Sequence, residues 1–168
     1  IEGASRDDRE ALRQALLEAN ANVGLDRIVF GIPGGGIHEI PLKSDLPDVS
    51  ETVEIDGSTQ PGYSGTPLVA LKPARVSGTS ETRGLHLTGT GITIRALGIH
   101  SFYSDGSRVI EPGEGLVISG PGNNRILGCV VGLSPDGVVT SSFPGFINRG
   151  VGIRIVQSPN NVIGGIGP

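Results

Sequence analysis

Apolar and polar residues alternate in short segments throughout the second half of the chain, and one such segment recurs. The sequence GLHL at 84–87 returns as GLVI at 115–118 and as GIRI at 152–155. Successive side chains of a strand point to opposite faces, so the two apolar positions of each copy share one face. We therefore predict that each copy is a strand with its apolar face turned to the core and an outward position between the two apolar residues.

Similar short runs, bounded by Gly, Pro, Asn and Asp, occur along most of the chain after residue 25, and they predict further strands. The expected strands are 28–32, 37–40, 52–56, 68–71, 85–88, 92–95, 97–99, 116–119, 125–131, 153–156 and 162–163. Many short strands separated by turn residues are typical of an all-β fold.

Residues 5–22 have a different periodicity and predict a helix. Its apolar stripe, at i, i+3, i+4 spacing, comprises Ala11, Leu12, Ala15, Leu16 and Ala19. We expect this helix to cover the first strands, because the end of a stack of strands otherwise exposes apolar side chains and unpaired backbone. The chain is accordingly divided into a capping helix at 1–24 and β-strands at 25–168.

Two Asn-Asn pairs, at 123–124 and 160–161, follow the second and third copies of the repeated segment in the same register. Asn tolerates left-handed backbone at sharp bends, and its amide group bonds to backbone. We predict that Asn124 and Asn161 stack and bond to each other as a ladder. The alternative is two unrelated turns that face solvent.

Self-similarity at intervals of roughly thirty to forty residues predicts a solenoid, in which each turn of backbone lies on the one before. The predicted fold class is therefore all-β, a parallel β-solenoid with an N-terminal amphipathic capping helix. A β-sandwich also has short alternating strands and remains as an alternative, although it does not predict near-identical segments at this spacing.

The composition narrows the functional classes. The chain of 168 residues contains 28 Gly and 12 Pro, and its 13 basic and 17 acidic residues give a net charge of −4. This acidic balance disfavours nucleic acid and anionic membrane surfaces as partners, and no apolar run is long enough to insert into a membrane. The single cysteine, Cys129, lies in an apolar run and is interpreted as a small buried residue.

Two regions of the first half have a recognisable order of residues. The first region reads LRQALLEANAN at 12–22, DRIVF at 26–30 and IPG at 32–34, and the second reads IDGSTQPGYSGTP at 55–67. Both resemble the N-terminal part of large bacterial right-handed parallel β-helix repeat proteins, which are secreted or attached to the cell surface. The resemblance covers about residues 12 to 71 and implies a right-handed parallel β-helix, the fold shared with pectate lyases and polygalacturonases, at an extracellular or cell-surface location.

The similarity of fold to polysaccharide-active enzymes implies clustered Asp, Arg or Lys on the outer face of one sheet. Hydrolysis of a glycoside requires two carboxylates that face one bond. The outward positions of the repeated strand contain no carboxylate; they are His86, Thr88, Val117, Ser119, Arg154 and Val156. We therefore expect this segment to be non-catalytic rather than an enzyme.

No other pattern predicts a reaction centre. His38, His86 and His100 lack metal-ligand spacing, and no G-x-S-x-G sequence occurs. Asp56 precedes Gly57 at a strand end and is interpreted as a turn residue. The sequence thus predicts no catalytic residue, no metal ligand and no cofactor.

Two insertions, 100–114 and 132–150, occupy the same place before consecutive copies of the repeat and are the best candidates for binding. The candidate ligand-binding residues are Phe102, Tyr103, Asp105, Asp136, Phe143 and Phe146. Their rings would stack on a sugar, and their carboxylates would bond its hydroxyls. Alternatively, the Asp-Gly pairs are ordinary hairpin turns and the rings seal a small core beneath the loops.

The expected function is that of a non-catalytic structural or adhesive module of a secreted or cell-surface protein, with a polysaccharide or cell-surface glycan as partner. One alternative is the N-terminal part of a polysaccharide-active enzyme, a lyase or glycoside hydrolase, with its catalytic turns beyond residue 168. Another is a carbohydrate-binding module that uses the two insertions. Because nothing resembling a cap follows the strand at 162–163, we expect the parent protein to continue past Pro168 and this segment to associate end to end with a second copy.

Overall fold

The computed structural model describes residues 6–74, 83–102, 113–136 and 151–165. In these residues the chain forms one helix, α1 (Arg6–Ala21), a short 3₁₀ turn (Gly57–Thr59) and twelve strands. The strands are β1 (Asp26–Val29), β2 (His38–Leu42), β3 (Val53–Asp56), β4 (Val69–Pro73), β5 (Leu85–Leu87), β6 (Thr93–Arg95), β7 (Leu97–Ile99), β8 (Glu114–Ser119), β9 (Arg125–Leu127), β10 (Val130–Val131), β11 (Val151–Val156) and β12 (Val162–Ile163).

Every strand pair in the described ranges is parallel, and the strands build three open sheets. The five-stranded sheet has the order β1-β3-β6-β9-β12, the four-stranded sheet β2-β4-β7-β10, and the three-stranded sheet β5-β8-β11. From β4 onward the chain visits the four-, three- and five-stranded sheets in turn and then repeats that order. The fold is thus mostly parallel β-sheet with one helix, and the β-sandwich alternative, which requires antiparallel sheets, is wrong.

The register of the strands aligns apolar side chains into rows across each sheet. In the five-stranded sheet the aligned residues are Ile28, Ile55, Ile94, Ile126 and Ile163. In the three-stranded sheet Leu87, Ile118 and Ile155, the second apolar residue of each copy of the repeat, are in register. Leu87 and Ile118 are fully buried, which confirms the predicted inward face of the first two copies of the repeat.

The last two strands differ from the others in burial. Ile155 in β11 and Ile163 in β12 are 47% and 44% exposed, although their aligned partners are buried. Both strands lie at the edges of their sheets in the described part of the chain. The expectation that Ile155 is buried like Leu87 is therefore wrong here, because in these ranges no further strand pairs with β11.

The helix lies against the first strands, as predicted, and it ends one residue before the expected bound of 22; residue 5 lies outside the described residues. Leu12, Leu16 and Ala19 are buried in a core that also contains residues of β1 and β2. Ala11, which was expected in the same stripe, is exposed. Polar contacts add to this packing, since Arg9 donates to the Pro41 carbonyl at 3.2 Å. The leucines of the helix thus pack against the first strands of the sheets.

The predicted strand 125–131 is two strands, because the chain turns between them at Gly128 with φ of +59°. Glycine adopts this left-handed conformation without steric cost. A different constraint acts at the glycine that opens the repeat: a Cβ at Gly84 would lie 2.2 Å from the Gly115 carbonyl oxygen. The repeated glycine is therefore explained there by the close approach of neighbouring backbones.

The Asn pairs form a ladder of a different kind from the one predicted. Asn123 and Asn160 adopt left-handed φ values of 59° and 56°. Asn161 accepts a hydrogen bond from the Asn124 backbone N–H at 3.0 Å, and Asn124 accepts one from Ile92 N–H at 2.9 Å. The contacts join side chain to backbone rather than amide to amide, so each Asn satisfies a donor in the preceding turn of the chain.

Candidate functional site

The predicted ligand-binding residues fall into three groups. Tyr103, Asp105, Phe143 and Phe146 lie outside the described residues. Phe102 is 1% exposed and packs within the hydrophobic core. Its assignment as a sugar-stacking residue is wrong, because its apolar ring is buried among core side chains. Asp136 is exposed in the turn that begins at Pro135, and its role in binding stays a prediction.

A polar cluster around a buried histidine lies on the four-stranded sheet. His100 follows β7 and is fully buried; its Nδ1 lies 2.8 Å from the Ser101 hydroxyl and its Nε2 lies 3.6 Å from Glu39. Lys72 pairs with the same Glu39. Burial lowers the pKa of His100, although the charges of Glu39 and Asp136 act in the opposite direction. The imidazole is therefore neutral near pH 7, as expected for a structural group.

Charged side chains also line the outer face of the five-stranded sheet. Arg27 contacts Glu54 at 3.2 Å and Asp56 at 2.5 Å, and Arg95 approaches Glu54 to 3.5 Å. Asp56 caps the 3₁₀ turn by accepting from Ser58 N–H at 3.0 Å, which confirms its interpretation as a turn residue. Burial alone would raise the pKa of the Asp56 carboxyl, but hydrogen bonds from Ser58 and Arg27 outweigh it and hold the pKa below its ordinary value.

The most distinctive cluster lies on the outer face of the three-stranded sheet. The Asp48 carboxylate lies 2.9 Å from His86 Nδ1, and His86 Nε2 lies 2.7 Å from the Ser119 hydroxyl. A carboxylate only accepts hydrogen bonds, so a neutral His86 carries its proton on Nδ1 and accepts the Ser119 hydroxyl proton at Nε2. We call Asp48, His86 and Ser119 the relay.

The parallel register places the relay residues on one face. Val49 forms a one-residue parallel bridge with Leu87, which puts Asp48 beside His86. His86 aligns with Val117 in β8, and Ser119 lies two positions further along on the same face. The relay thus joins three chain segments that are far apart in sequence.

Neighbouring contacts fix the loop that carries Asp48. Asn20, in α1, donates to the Asp48 carbonyl at 2.6 Å and accepts from Ser50 N–H at 3.0 Å. Asp45 accepts from the backbone N–H of Arg83 at 2.8 Å and from its Nε at 3.2 Å. The Arg83 guanidinium in turn lies 3.5 Å from His86 Nδ1. Because that nitrogen donates to Asp48, Arg83 adds positive charge beside the ring rather than a hydrogen bond.

His86 and Ser119 were predicted as outward positions, but the hydrogen bond between them was not predicted. The missing partner was Asp48, which lies in a loop with no strand pattern. Its position depends on the single bridge at Val49 and on Asn20, both contacts over long sequence separation. The available signal was that His86 and Ser119 are outward positions on neighbouring copies of the repeat. This placement could have suggested a polar pair.

Cys129 packs against the core, as its apolar neighbours suggested. Its thiol contacts the carbonyl oxygens of Leu127 and Ile94 at 3.4 and 3.7 Å. Burial raises the pKa of the Cys129 thiol, so little nucleophilic thiolate is present near neutral pH.

The described residues contain neither a metal-binding cluster nor a helix that could span a membrane. No group of three or more His, Cys, Asp or Glu side chains there is arranged to hold a metal ion. No helix in these ranges has the length and apolar character needed to cross a membrane.

Comparison with known proteins found no match: no family model, no curated protein and no solved structure is similar to this chain. The resemblance of residues 12–71 to β-helix repeat proteins therefore stays a prediction.

Proposed function

We propose that the chain is a segment of a right-handed parallel β-helix that serves as a rigid structural or adhesive module of a secreted or cell-surface protein. The observation that carries this proposal is the cyclic visit to three parallel sheets, with each strand in register with the strand one cycle earlier. Rows such as Ile55, Ile94 and Ile126, all buried, support a continuous core along the stack. Stacked repeats of this kind suit a stiff, extended scaffold.

The adhesive surface that we propose is the outer face of the five-stranded sheet. Arg27, Glu54 and Arg95 form its ion-pair network. Arg125, in β9, aligns with Thr93 in the neighbouring strand β6 and is exposed. No ion pair of Arg125 occurs in the described part of the chain. Guanidinium groups bind carboxylate and sulfate oxygens well, so the partner that we propose is an acidic cell-surface polysaccharide.

The two alternatives, a polysaccharide-active enzyme and a carbohydrate-binding module built on the insertions, have less support. Asp56 on this face is bound by Ser58 and Arg27, and its lowered pKa keeps it ionised near neutral pH, which does not suit a general acid for glycoside cleavage. A binding module built on the insertions loses Phe102, which is buried. We therefore favour the scaffold with an acidic-glycan-binding face.

Affinity measurements on immobilised polysaccharides test this proposal. We expect the chain to bind heparin or polygalacturonate at low salt and not to bind neutral dextran. Replacing Arg125 by Gln should weaken binding by about tenfold, because it removes one charge-assisted hydrogen bond, which contributes about 1.5 kcal/mol to the binding free energy. The matched control is Arg13→Gln, which removes an equal charge from α1 and should leave affinity nearly unchanged. Equal binding to dextran, or an unchanged affinity in Arg125→Gln, would contradict the proposal.

A further inference from the structure

The relay on the three-stranded sheet has an arrangement that a scaffold does not need. Side chains that are exposed to water satisfy their hydrogen bonds with solvent, so burial does not require such groups to be paired. Asp48 is 52% exposed, His86 is 17% exposed at the side chain, and Ser119 is partly exposed. Three separate chain segments nevertheless bring a carboxylate, an imidazole and a hydroxyl into one hydrogen-bonded line.

From this geometry we propose that the relay is a hydrolytic site, in which Ser119 is the nucleophile and His86 is its general base. An acyl-transfer site needs a hydrogen bond from nucleophile to base and a second group that orients the base. The 2.7 Å contact between Ser119 Oγ and His86 Nε2 meets the first requirement. The 2.9 Å contact between His86 Nδ1 and Asp48 meets the second, and Asp48 is the positioning residue.

The reaction that follows is the hydrolysis of a carboxylic ester. The Ser119 oxygen attacks the ester carbonyl while its proton passes to His86 Nε2, and the C–O bond to the leaving alcohol breaks as His86 returns that proton to it. Water then attacks the acyl-serine, again giving a proton to His86, which returns it to Ser119 as the carboxylic acid leaves. Only the ester and water are consumed, and no oxidation occurs.

The location of the site limits the substrate class. The relay lies on the outer face of the three-stranded sheet, and its Asp48 carboxylate is open to solvent. An ester that projects from a larger molecule can reach such a face. The substrate that we propose is therefore a small acyl ester, such as an acetyl group, carried by a polymer. This activity goes beyond the scaffold role and does not depend on glycan binding by the five-stranded sheet.

The loop that carries Asp48 is held in a way that suits this role. Asn20 bonds to the backbone on both sides of Val49, and the Val49 carbonyl accepts from Thr88 N–H at 2.9 Å. Both contacts leave the Asp48 carboxylate itself to face His86. The helix thus contributes to the site as well as to the core, because it fixes the position of the group that orients the base.

Hydrolysis of p-nitrophenyl acetate by the purified chain tests the proposal. We expect turnover that falls about 100-fold or more in Ser119→Ala and in His86→Gln, as loss of a nucleophile or general base does. Asp48→Asn should lower kcat while leaving KM close to that of the wild type, because it acts through His86. The control is Ser50→Ala, an exposed serine near Asp48, which should keep the wild-type rate.

Thermal unfolding of each variant separates lost chemistry from lost folding, and Ser119→Cys adds a second nucleophile variant of similar size. Rapid acyl-enzyme formation in Ser119→Cys, with the acyl group found on residue 119 by peptide mass spectrometry, would support the site. The proposal is overturned if wild-type turnover does not exceed that of Ser119→Ala, or if the acyl group is found elsewhere in the chain.

Discussion

Two histidines of this protein have almost the same neighbours on two different sheets. His86, on the three-stranded sheet, contacts a carboxylate and a serine and lies near Arg83. His100, on the four-stranded sheet, likewise contacts a serine and approaches a carboxylate that is paired with Lys72. The residue types are equivalent, so the difference between the two clusters must come from their surroundings.

The two histidines differ in how deeply their rings are buried and in which ring nitrogen contacts the serine and which the carboxylate. His100 is completely enclosed, and Pro135 packs on the same sheet so tightly that a Cβ at Gly98 would lie 2.5 Å from its Cγ. His86 is partly open, and its two ring nitrogens connect Asp48 to Ser119 in a line. His100 instead has its serine on Nδ1 and its carboxylate 3.6 Å from Nε2. The fold therefore encloses the His100 ring, whereas the His86 ring is placed to pass a proton to and from a partly exposed hydroxyl.

Both clusters lie on sheets that share one well-packed core, and a substitution at Ile118 is expected to have the largest effect. Ile118 is fully buried in β8, next to Ser119 in the same strand. Ile118→Ala should reduce the free energy of unfolding by about 2–5 kcal/mol, measured by chemical denaturation. It should also reduce the reactivity of Ser119, because the strand that carries this residue loses its packing.

The matched control for Ile118 is its register partner Ile155, which is 47% exposed. Ile155→Ala removes the same atoms from a half-open position and should cost about 1 kcal/mol or less. Equal losses in the two variants would show that the core does not extend beneath the relay as described.

The pH dependence of the free energy of unfolding distinguishes the two histidines, with a smaller expected effect than that of Ile118→Ala. The lowered pKa of His100 follows from burial, so the folded state does not take up a proton when an unfolded histidine does, below about pH 6.5. The resulting stability is fully present above that pH and is lost as the pH falls toward the folded pKa. Replacing His100 by Gln should therefore make the free energy of unfolding less dependent on pH between about 7.5 and 5.5.

His86→Gln is the control for the acid experiment, because it leaves the His100 cluster and its neighbours Glu39, Lys72 and Asp136 intact. Urea unfolding at several pH values measures both variants. A His100→Gln profile parallel to that of the wild type would mean that His100 is not held neutral by the fold, and that the two histidines differ less than their burial indicates.

Sequence predicted the regular parts of this protein and missed the parts made by single contacts. The strands and the inward positions Leu85, Leu87, Leu116 and Ile118 follow from alternation, because a buried face must be apolar at every second residue. The placement of Asp48 does not follow from alternation, since it depends on the bridge at Val49 and on the contact with Asn20. The burial of Phe102 matches the alternative that the sequence left open, because an aromatic in a loop is compatible with a binding surface and with a core.

On this proposal Ser119 is an activated serine on one sheet, whereas its counterpart Ser101 on the other sheet is only structural. Labelling with a fluorophosphonate, which phosphonylates serine oxygens activated by a neighbouring base, compares the two directly in the folded protein. We expect peptide mass spectrometry to find the label on Ser119 and neither on Ser101 nor on the exposed Ser50, and to find none in His86→Gln. A Ser119 that reacts no faster than Ser50 would contradict the account.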